Sequence, residues 1–310
     1  MTDSTDAPAP QILDREDLER AALELGPEPT CCFLCDGRSF ERKFERSGKS
    51  FWMCRGCELV FVHDIYPEFV TDTDHIGETF SFEKPRQADA RKRKKFDRVL
   101  AGFEPYRKSG RLLEVGCGDG LFLAHARDRG WSVEGVDVLE PVVENARRVH
   151  GLDVKTGELA DVGFADAAFD VVFTSEVIEH VVHPVPLLRE VHRVLRPGGA
   201  AIFGTGNARS WAARMMGKRW SYYRFGGHMH IRYYCPRAAV ALAKRAGFAR
   251  ARSRTSGFAF AEAGQLRGHW YRPLAKIAQG LLSPLASLAG AGHRLVMVLE
   301  KGDSASIGSR

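Results

Sequence analysis

The sequence lacks any run of about eighteen uninterrupted apolar residues, the length a helix needs to cross a hydrocarbon core. The nearest approach, PLAKIAQGLLSPLASLAGAG (273–292), is broken by Lys276, Gln279, Pro284 and several glycines. A membrane span is therefore not expected. Also missing is an early apolar segment with a basic flank and a small-residue cleavage site, so the expected location is cytoplasmic. No internal repeat is present, which argues against solenoids and propellers. Nor are the cysteines spread as a disulfide framework would need: five of the seven fall between residues 31 and 57. In a chain without a secretory signal, such clustering points to metal.

What remains is an ordinary globular composition, 44% hydrophobic and 27% charged over 310 residues, enough for one large domain and a small one. The net charge is +6 and the isoelectric point about 9.0. The excess is local, concentrated in RKRKK (91–95) and RMMGKRWSYYRF (214–225). A helical charge run is ordinarily a solvated face, with nucleic acid or an anionic surface as the alternative.

Residues 1–29, rich in Asp, Glu, Pro and Ala, read as a mobile tail with a short helix over Ile12–Leu25. Residues 30–66 hold Cys32-x-x-Cys35 and Cys54-x-x-Cys57, separated by an alternating strand pair with a Ser-Gly turn and followed by the strand ELVFV. Two such knuckles predict a zinc ribbon whose four thiolates close the coordination shell, so the Zn²⁺ is structural. Cys31 reads as a bystander, and Cys117 and Cys235 as core or site-wall residues. Residues 67–109 read as a linker and a basic helix (86–108) with Phe96, Val99, Leu100 and Phe103 on one face. From 110 to 302 strands and helices alternate, which predicts a parallel sheet with helices on both faces. Within that domain, 206–236 and 258–292 are insertions.

RLLEVGCGDG (111–120) ends a strand in three glycines and opens a helix, and Asp137 closes the next strand, WSVEGVDV. Glycines there let a ligand lie against the backbone, and a carboxylate at the neighbouring strand end can take both ribose hydroxyls of a nucleoside. Position 121 is Leu where a dinucleotide fingerprint has Gly, and Glu114 suits a ligand bearing an ammonium group better than a pyrophosphate.

LLEVGCGDG, VEGVDVLEP, GELADVGFADAAFDVVFTSEVIEHVVHP and LLREVHRVLRPGGAAIF resemble, in order and spacing, the motifs of class I S-adenosylmethionine-dependent methyltransferases. The resemblance implies a Rossmann-like seven-stranded sheet whose last strand, RLVMVLE, is antiparallel. It also implies S-adenosylmethionine as cofactor. Gly116 and Gly118 would flank its methionine part with Glu114 behind the loop, Asp137 would hold the ribose, and Glu158 and Leu159 would meet the adenine. Ser175 would stand beside the sulfonium. Phe164 reads as core.

Methyl transfer to a protonated acceptor needs a base. SEVIEHVVH offers Glu176, Glu179, His180 and His183 just past the fourth strand of the domain; His180, with Glu179, is the preferred choice. The spacing Glu-x-x-Glu-His resembles the divalent-metal triad of ubiquinone-pathway O-methyltransferases, so Mg²⁺ is an alternative at Glu176, Glu179 and His180. The same run is widespread where no metal binds. The aromatic and basic stretch 206–236 reads as a substrate lid, with His230 preferred over His228. The expected activity is methyl transfer to a small-molecule, sugar or glycan-type acceptor. The alternative is an RNA methyltransferase gripping phosphates with ribbon and basic helix, against which stand the four-cysteine ribbon and SEVIEH in place of an Asn/Asp-Pro-Pro-aromatic signature. A non-catalytic binding module fits poorly with an intact loop and acids. Acceptor, methylated atom, the role of 258–292 and oligomeric state are left open by the sequence.

Overall fold

Alternating apolar and polar residues form the hairpin of β1 (Phe40–Arg46) and β2 (Lys49–Cys54), joined through Gly48 at φ +71°. β3 (Val60–Val62) pairs antiparallel with β2. The computed structural model describes residues 28–46, 48–63, 88–223, 230–258 and 272–303. Residues 1–27 of the expected tail, the linker over 67–85, His228 and most of the segment 258–271 lie outside the described residues.

The larger domain opens with α1 (Ala90–Ala101), capped by Asp89, whose carboxylate accepts from the Lys92 amide at 2.7 Å. This helix is shorter than the expected 86–108. A separate single turn at Glu104–Tyr106 carries a proline as its second residue, and Phe103 before it is buried. Then come β4 (Arg111–Val115), α2 (Leu121–Asp128), β5 (Ser132–Asp137), α3 (Glu140–His150), β6 (Val154–Thr156), β7 (Phe169–Ser175), α4 (Pro184–Val194) and β8 (Leu195–Gly206). Beyond β8 the chain forms α5 (Trp211–Met216), β9 (Arg232–Tyr233), α6 (Pro236–Arg245), β10 (Arg250–Ser256), α7 (Arg272–Leu288) and β11 (Arg294–Glu300).

Seven strands form one sheet in the order β10-β11-β8-β7-β4-β5-β6, with β11 antiparallel to both neighbours. The chain runs outward from β4 to β6, then crosses back to β7. The carboxyl ends of β4, β5 and β7 thus meet at the point where the direction of winding reverses, the place where such sheets bind ligands.

One face is closed by α1 and α2 over Phe103, Phe122 and Phe173. On the other, α4 and α6 share a single apolar cluster with Leu34, Trp52 and Phe61 of the cysteine-rich unit. A region of this size cannot bury a core of its own, and it takes the flank of the larger domain instead. β9, from the segment expected to be a lid, pairs antiparallel with β3 and completes the ribbon's sheet as β1-β2-β3-β9. Ribbon and lid are one packed unit, which a boundary at residue 66 does not capture.

Candidate active site and cysteine cluster

The glycine loop gets its shape from positive φ at Gly116, Gly118 and Gly120. A Cβ at Gly116 would lie 2.3 Å from Val177 Cγ2, so only glycine lets the loop after β4 approach the segment after β7 this closely. At Gly118 nothing lies within 4 Å of where a Cβ would stand, leaving the wall open. Asp137 accepts the Gly118 amide at 2.9 Å and the Leu139 amide at 3.1 Å, tying the two strand ends together. Glu114 is buried, and its Oε2 has no hydrogen-bond partner. Burial pushes this carboxyl well above its ordinary range, and the neighbouring carboxylates of Asp119 and Asp137 push it further. A cation entering here would reverse that penalty. The orphaned acid, the open glycine wall and the paired strand-end carboxylate fit a nucleoside that also carries an ammonium group, as S-adenosylmethionine does.

Glu158 is exposed, half-buried Ser175 ends β7, and Leu159 is buried beside Phe164, which is core.

In the ribbon, Cys32 Sγ and Cys57 Sγ stand 3.6 Å apart, Cys35 Sγ and Cys54 Sγ 3.5 Å apart, and all four lie within 4.8 Å of one another. Four thiolates around a tetrahedral Zn²⁺ with Zn–S near 2.3 Å would be separated by about 3.8 Å. Asp36 and Glu58, each directly after a knuckle's second cysteine, both take left-handed φ (56° and 63°). Gly37 and Gly56 press so near the sulfurs that a Cβ would stand 3.2 and 3.1 Å from Cys35 Sγ. Exposed Cys31 is outside the group, and Cys235 instead caps α6 and donates to the Cys57 carbonyl.

Arg232 gives a second sign of charge there. Its guanidinium is buried, donates to the carbonyls of Val62, Ile231 and Val182, and faces no carboxylate among the described residues. It stacks over Phe33 at 5.0 Å, between the first two cysteines of the cluster, and burial lowers its pKa to about 10 against upward pulls from Tyr234 and, more weakly, Cys32. A buried cation needs compensation. A zinc–tetrathiolate group, with a formal charge of −2, fits that need.

The third cluster lies at the carboxyl edge of β7. Glu179 is buried; Thr205 donates to its Oε2 at 2.9 Å and the Tyr222 hydroxyl donates to its Oε1. Tyr222 also accepts the Gly206 amide at 2.9 Å, its ring lying where any Cβ on Gly206 would collide at 2.6 Å. The Ile231 and Arg232 amides both donate to the Glu179 carbonyl, at 2.8 and 3.0 Å, which lays the lid's return strand against this segment. His230 is thereby brought to His180, ring centroids 4.8 Å apart. Its Nδ1 is 2.8 Å from the Tyr222 carbonyl. A carbonyl can only accept, so Nδ1 carries the proton and Nε2 of the neutral ring keeps a lone pair.

One carboxylate oxygen and two ring nitrogens of Glu179, His180 and His230 lie within 4.8 Å of one another. Glu176, expected as the third member of a Glu-x-x-Glu-His triad, instead pairs with Arg294 at 2.9 Å. Its other oxygen stays 3.3 Å from the Tyr222 hydroxyl, beside Glu179, but the group of three donors is completed by His230 rather than by Glu176 as in the alternative Mg²⁺ set.

Burial, reinforced by Glu176, raises the Glu179 carboxyl from 4.5 to about 7. Between those values the native state holds a proton that the unfolded chain has released, so stability falls as pH rises through the window. Glu179→Gln is expected to remove that component. Compared by urea midpoint between about pH 5 and about pH 8, wild type should lose roughly 2–3 kcal/mol more than the variant. Parallel profiles would show that Glu179 is not the group titrating.

A family profile described as a methyltransferase domain matches residues 86–251, more than half of the chain. The chain belongs to the class I S-adenosylmethionine-dependent methyltransferases. The methyltransferase is similar to the ubiquinone biosynthesis O-methyltransferase of Cereibacter sphaeroides (ATCC 17025), 29% identical over 66% of this chain and 80% of the relative. It is also similar to the protein of that name from Ruegeria pomeroyi, 36% identical over 39% of this chain; here it spans about half (52%) of the relative's length. An uncharacterized 37.1 kDa protein in a Streptomyces fradiae transposon is 30% identical over 62% of this chain and 53% of its own. Among solved structures, a methyltransferase from Archaeoglobus fulgidus superposes with a TM-score of 0.49 at 17% identity, over 67% of this chain and 94% of the other.

The residues of this methyltransferase that sequence reasoning did not single out are Thr205, Tyr222 as the partner of Glu179, Arg232 and Arg294. Each comes from a segment remote in sequence from its partner, and no local spacing marks it.

Proposed function

We propose that the methyltransferase transfers a methyl group to a hydroxyl of a small-molecule acceptor held between the glycine loop and the lid. Glu114, Gly116, Gly118, Asp137, Glu158, Leu159 and Ser175 line the cofactor side, and Cys32, Cys35, Cys54 and Cys57 hold a structural zinc. The observation that carries the reading is the meeting of His180 and His230 over Glu179, next to the segment whose Val177 touches the glycine loop. The names of the O-methyltransferase relatives support an oxygen acceptor.

When bound, S-adenosylmethionine supplies a methyl carbon on positive sulfur; the acceptor oxygen bonds to it as the C–S bond breaks and the electron pair stays on sulfur. The chain's part is alignment and one proton. His230 Nε2 takes the acceptor's proton, with Nδ1–H anchored on the Tyr222 carbonyl to hold the ring in the productive tautomer. His180 packs edge-on against that ring and limits its rotation. Glu179 positions the pair and offsets the imidazolium charge that develops. Tyr222, Trp220 and Tyr233 close the lid over the site and keep water from it.

The test is release of S-adenosylhomocysteine with a panel of catechols, phenols and sugars, and with RNA as the competing acceptor, on wild type and His230→Ala. The expected result is turnover on a hydroxylated small molecule that drops by about a hundredfold or more in the variant. Affinity for S-adenosylmethionine should not change. Transfer to RNA alone, or a variant as fast as wild type, would overturn the reading.

A further inference from the structure

We infer that the carboxyl edge of the sheet is a docking surface for an anionic membrane, on which α7 lies as an interfacial helix. Ile277, Leu281, Leu285 and Leu288 of α7 are 59%, 71%, 56% and 88% exposed. Their spacing of four, four and three residues puts them along one side of the helix. Its other side is anchored: Ser283 Oγ accepts the Phe258 amide at 2.9 Å, Ala286 is buried, and the Ser287 carbonyl accepts from Thr255. The apolar stripe faces outward because the helix is already docked on the end of β10.

Charge accompanies the stripe. Arg91 to Lys95 of α1 are exposed, and none has a carboxylate partner among the described residues. On β10, Arg254 stands opposite Val296 and Arg252 opposite Val298, and both valines pack beneath α1 with Phe96 and Val99. Residues directly opposite in an antiparallel pair share a face. The β10 arginines therefore stand on the α1 side of the sheet, where Arg252 pairs with Glu300 and Arg254 has no carboxylate partner among the described residues. Lys95 is within electrostatic reach of Arg294 and Glu176, so the basic surface comes to the same edge that α7 crosses. Exposed Met215, on α5 just beyond β8, adds a further apolar side chain at that edge.

An exposed apolar stripe beside Arg91 to Lys95 and Arg254, which have no carboxylate partner among the described residues, matches the headgroup–acyl boundary of an anionic bilayer, where leucines insert and lysines meet phosphates. A second copy of the chain would bring the same positive field against itself. A nucleic acid would satisfy the cations and leave four aliphatic side chains in water. No helix among the described residues is long and apolar enough to cross a membrane, so the contact is peripheral. It goes beyond the acceptor reading and does not depend on it.

The test is flotation of the full zinc-loaded chain with vesicles of phosphatidylcholine alone and of phosphatidylcholine with phosphatidylglycerol. Wild type, Leu281→Glu with Leu285→Glu, and Lys92→Glu with Lys94→Glu are compared, all replacements being at exposed positions. Zinc content and S-adenosylmethionine affinity establish that each is folded. Wild type is expected to float with the anionic vesicles only, and added salt should weaken it. Each basic side chain near such a surface is worth about fivefold, so the lysine variant should lose roughly tenfold or more, and the leucine variant a similar amount. Absence of flotation with either vesicle would overturn the inference. So would flotation indifferent to both variants, or a leucine variant that only turns a dimer into a monomer.

Discussion

Asp137→Ala is expected to weaken S-adenosylmethionine binding by about a hundredfold or more in calorimetry while leaving the protein folded. A carboxylate receiving both ribose hydroxyls makes two charge-assisted hydrogen bonds, each worth about 1.5–3 kcal/mol, and each 1.4 kcal/mol is tenfold in affinity. Burial already raises the Asp137 carboxyl above its ordinary range, relieved in part by the amides of Gly118 and Leu139. Removing it takes one acid from a crowded set that includes buried Glu114. The fold therefore loses little when the ligand loses its anchor. S-adenosylhomocysteine should weaken in parallel, because it carries the same ribose. Unchanged affinity for both would mean that the ribose lies elsewhere and that Asp137 serves only to join the two strand ends.

Cys57→Ser is expected to abolish zinc binding, from one ion per chain to none, and to lower turnover below about a hundredth of wild type. S-adenosylmethionine affinity should fall far less. A structural zinc in a unit this small contributes on the order of 10 kcal/mol, more than the unit's other interactions can replace. The damage should not stay in the ribbon. β9 is the fourth strand of its sheet, Val62 accepts from Arg232, and Cys235 donates to the Cys57 carbonyl. Releasing those contacts frees Ile231 and Arg232 from their register and lets His230 leave His180. Arg232 would also lose its compensating charge and drive the segment toward water. Metal analysis, calorimetry and turnover on one sample separate the outcomes. A zinc-free variant with full turnover would make the ribbon an appendage with no part in holding the lid.

The glycine loop, Asp137 and the four cysteines were legible because each depends on residues close together in sequence. A turn favours glycine where φ is positive, and a metal knuckle needs two thiolates on one short loop. Strand and helix periodicity was legible for the same reason, although α1 proved shorter than its apolar spacing suggested because Phe103 belongs to the turn that follows. The acceptor side was different. His180 and His230 were each visible as chemically capable side chains, yet their partnership rests on two amides bonding one carbonyl at Glu179. The Glu-x-x-Glu-His run suggested Glu176 as the third donor beside Glu179 and His180; Glu176 shares the Tyr222 hydroxyl with Glu179 but pairs with Arg294, and His230 from the remote segment takes the third place.

Local chemistry thus decided which elements form, that an open glycine loop follows β4, and that four sulfurs converge. Tertiary structure alone decided that the lid supplies a strand to the ribbon, that Tyr222 reaches Glu179, and that Arg232 is buried beside the cysteine cluster. Those outcomes come from side chains separated by 26 to 178 residues, as in Thr205 with Glu179 and Cys235 with Cys57. Contacts at such separations carry no periodicity. They are selected by packing two incomplete units against each other, because neither the ribbon nor the lid can bury its apolar face alone.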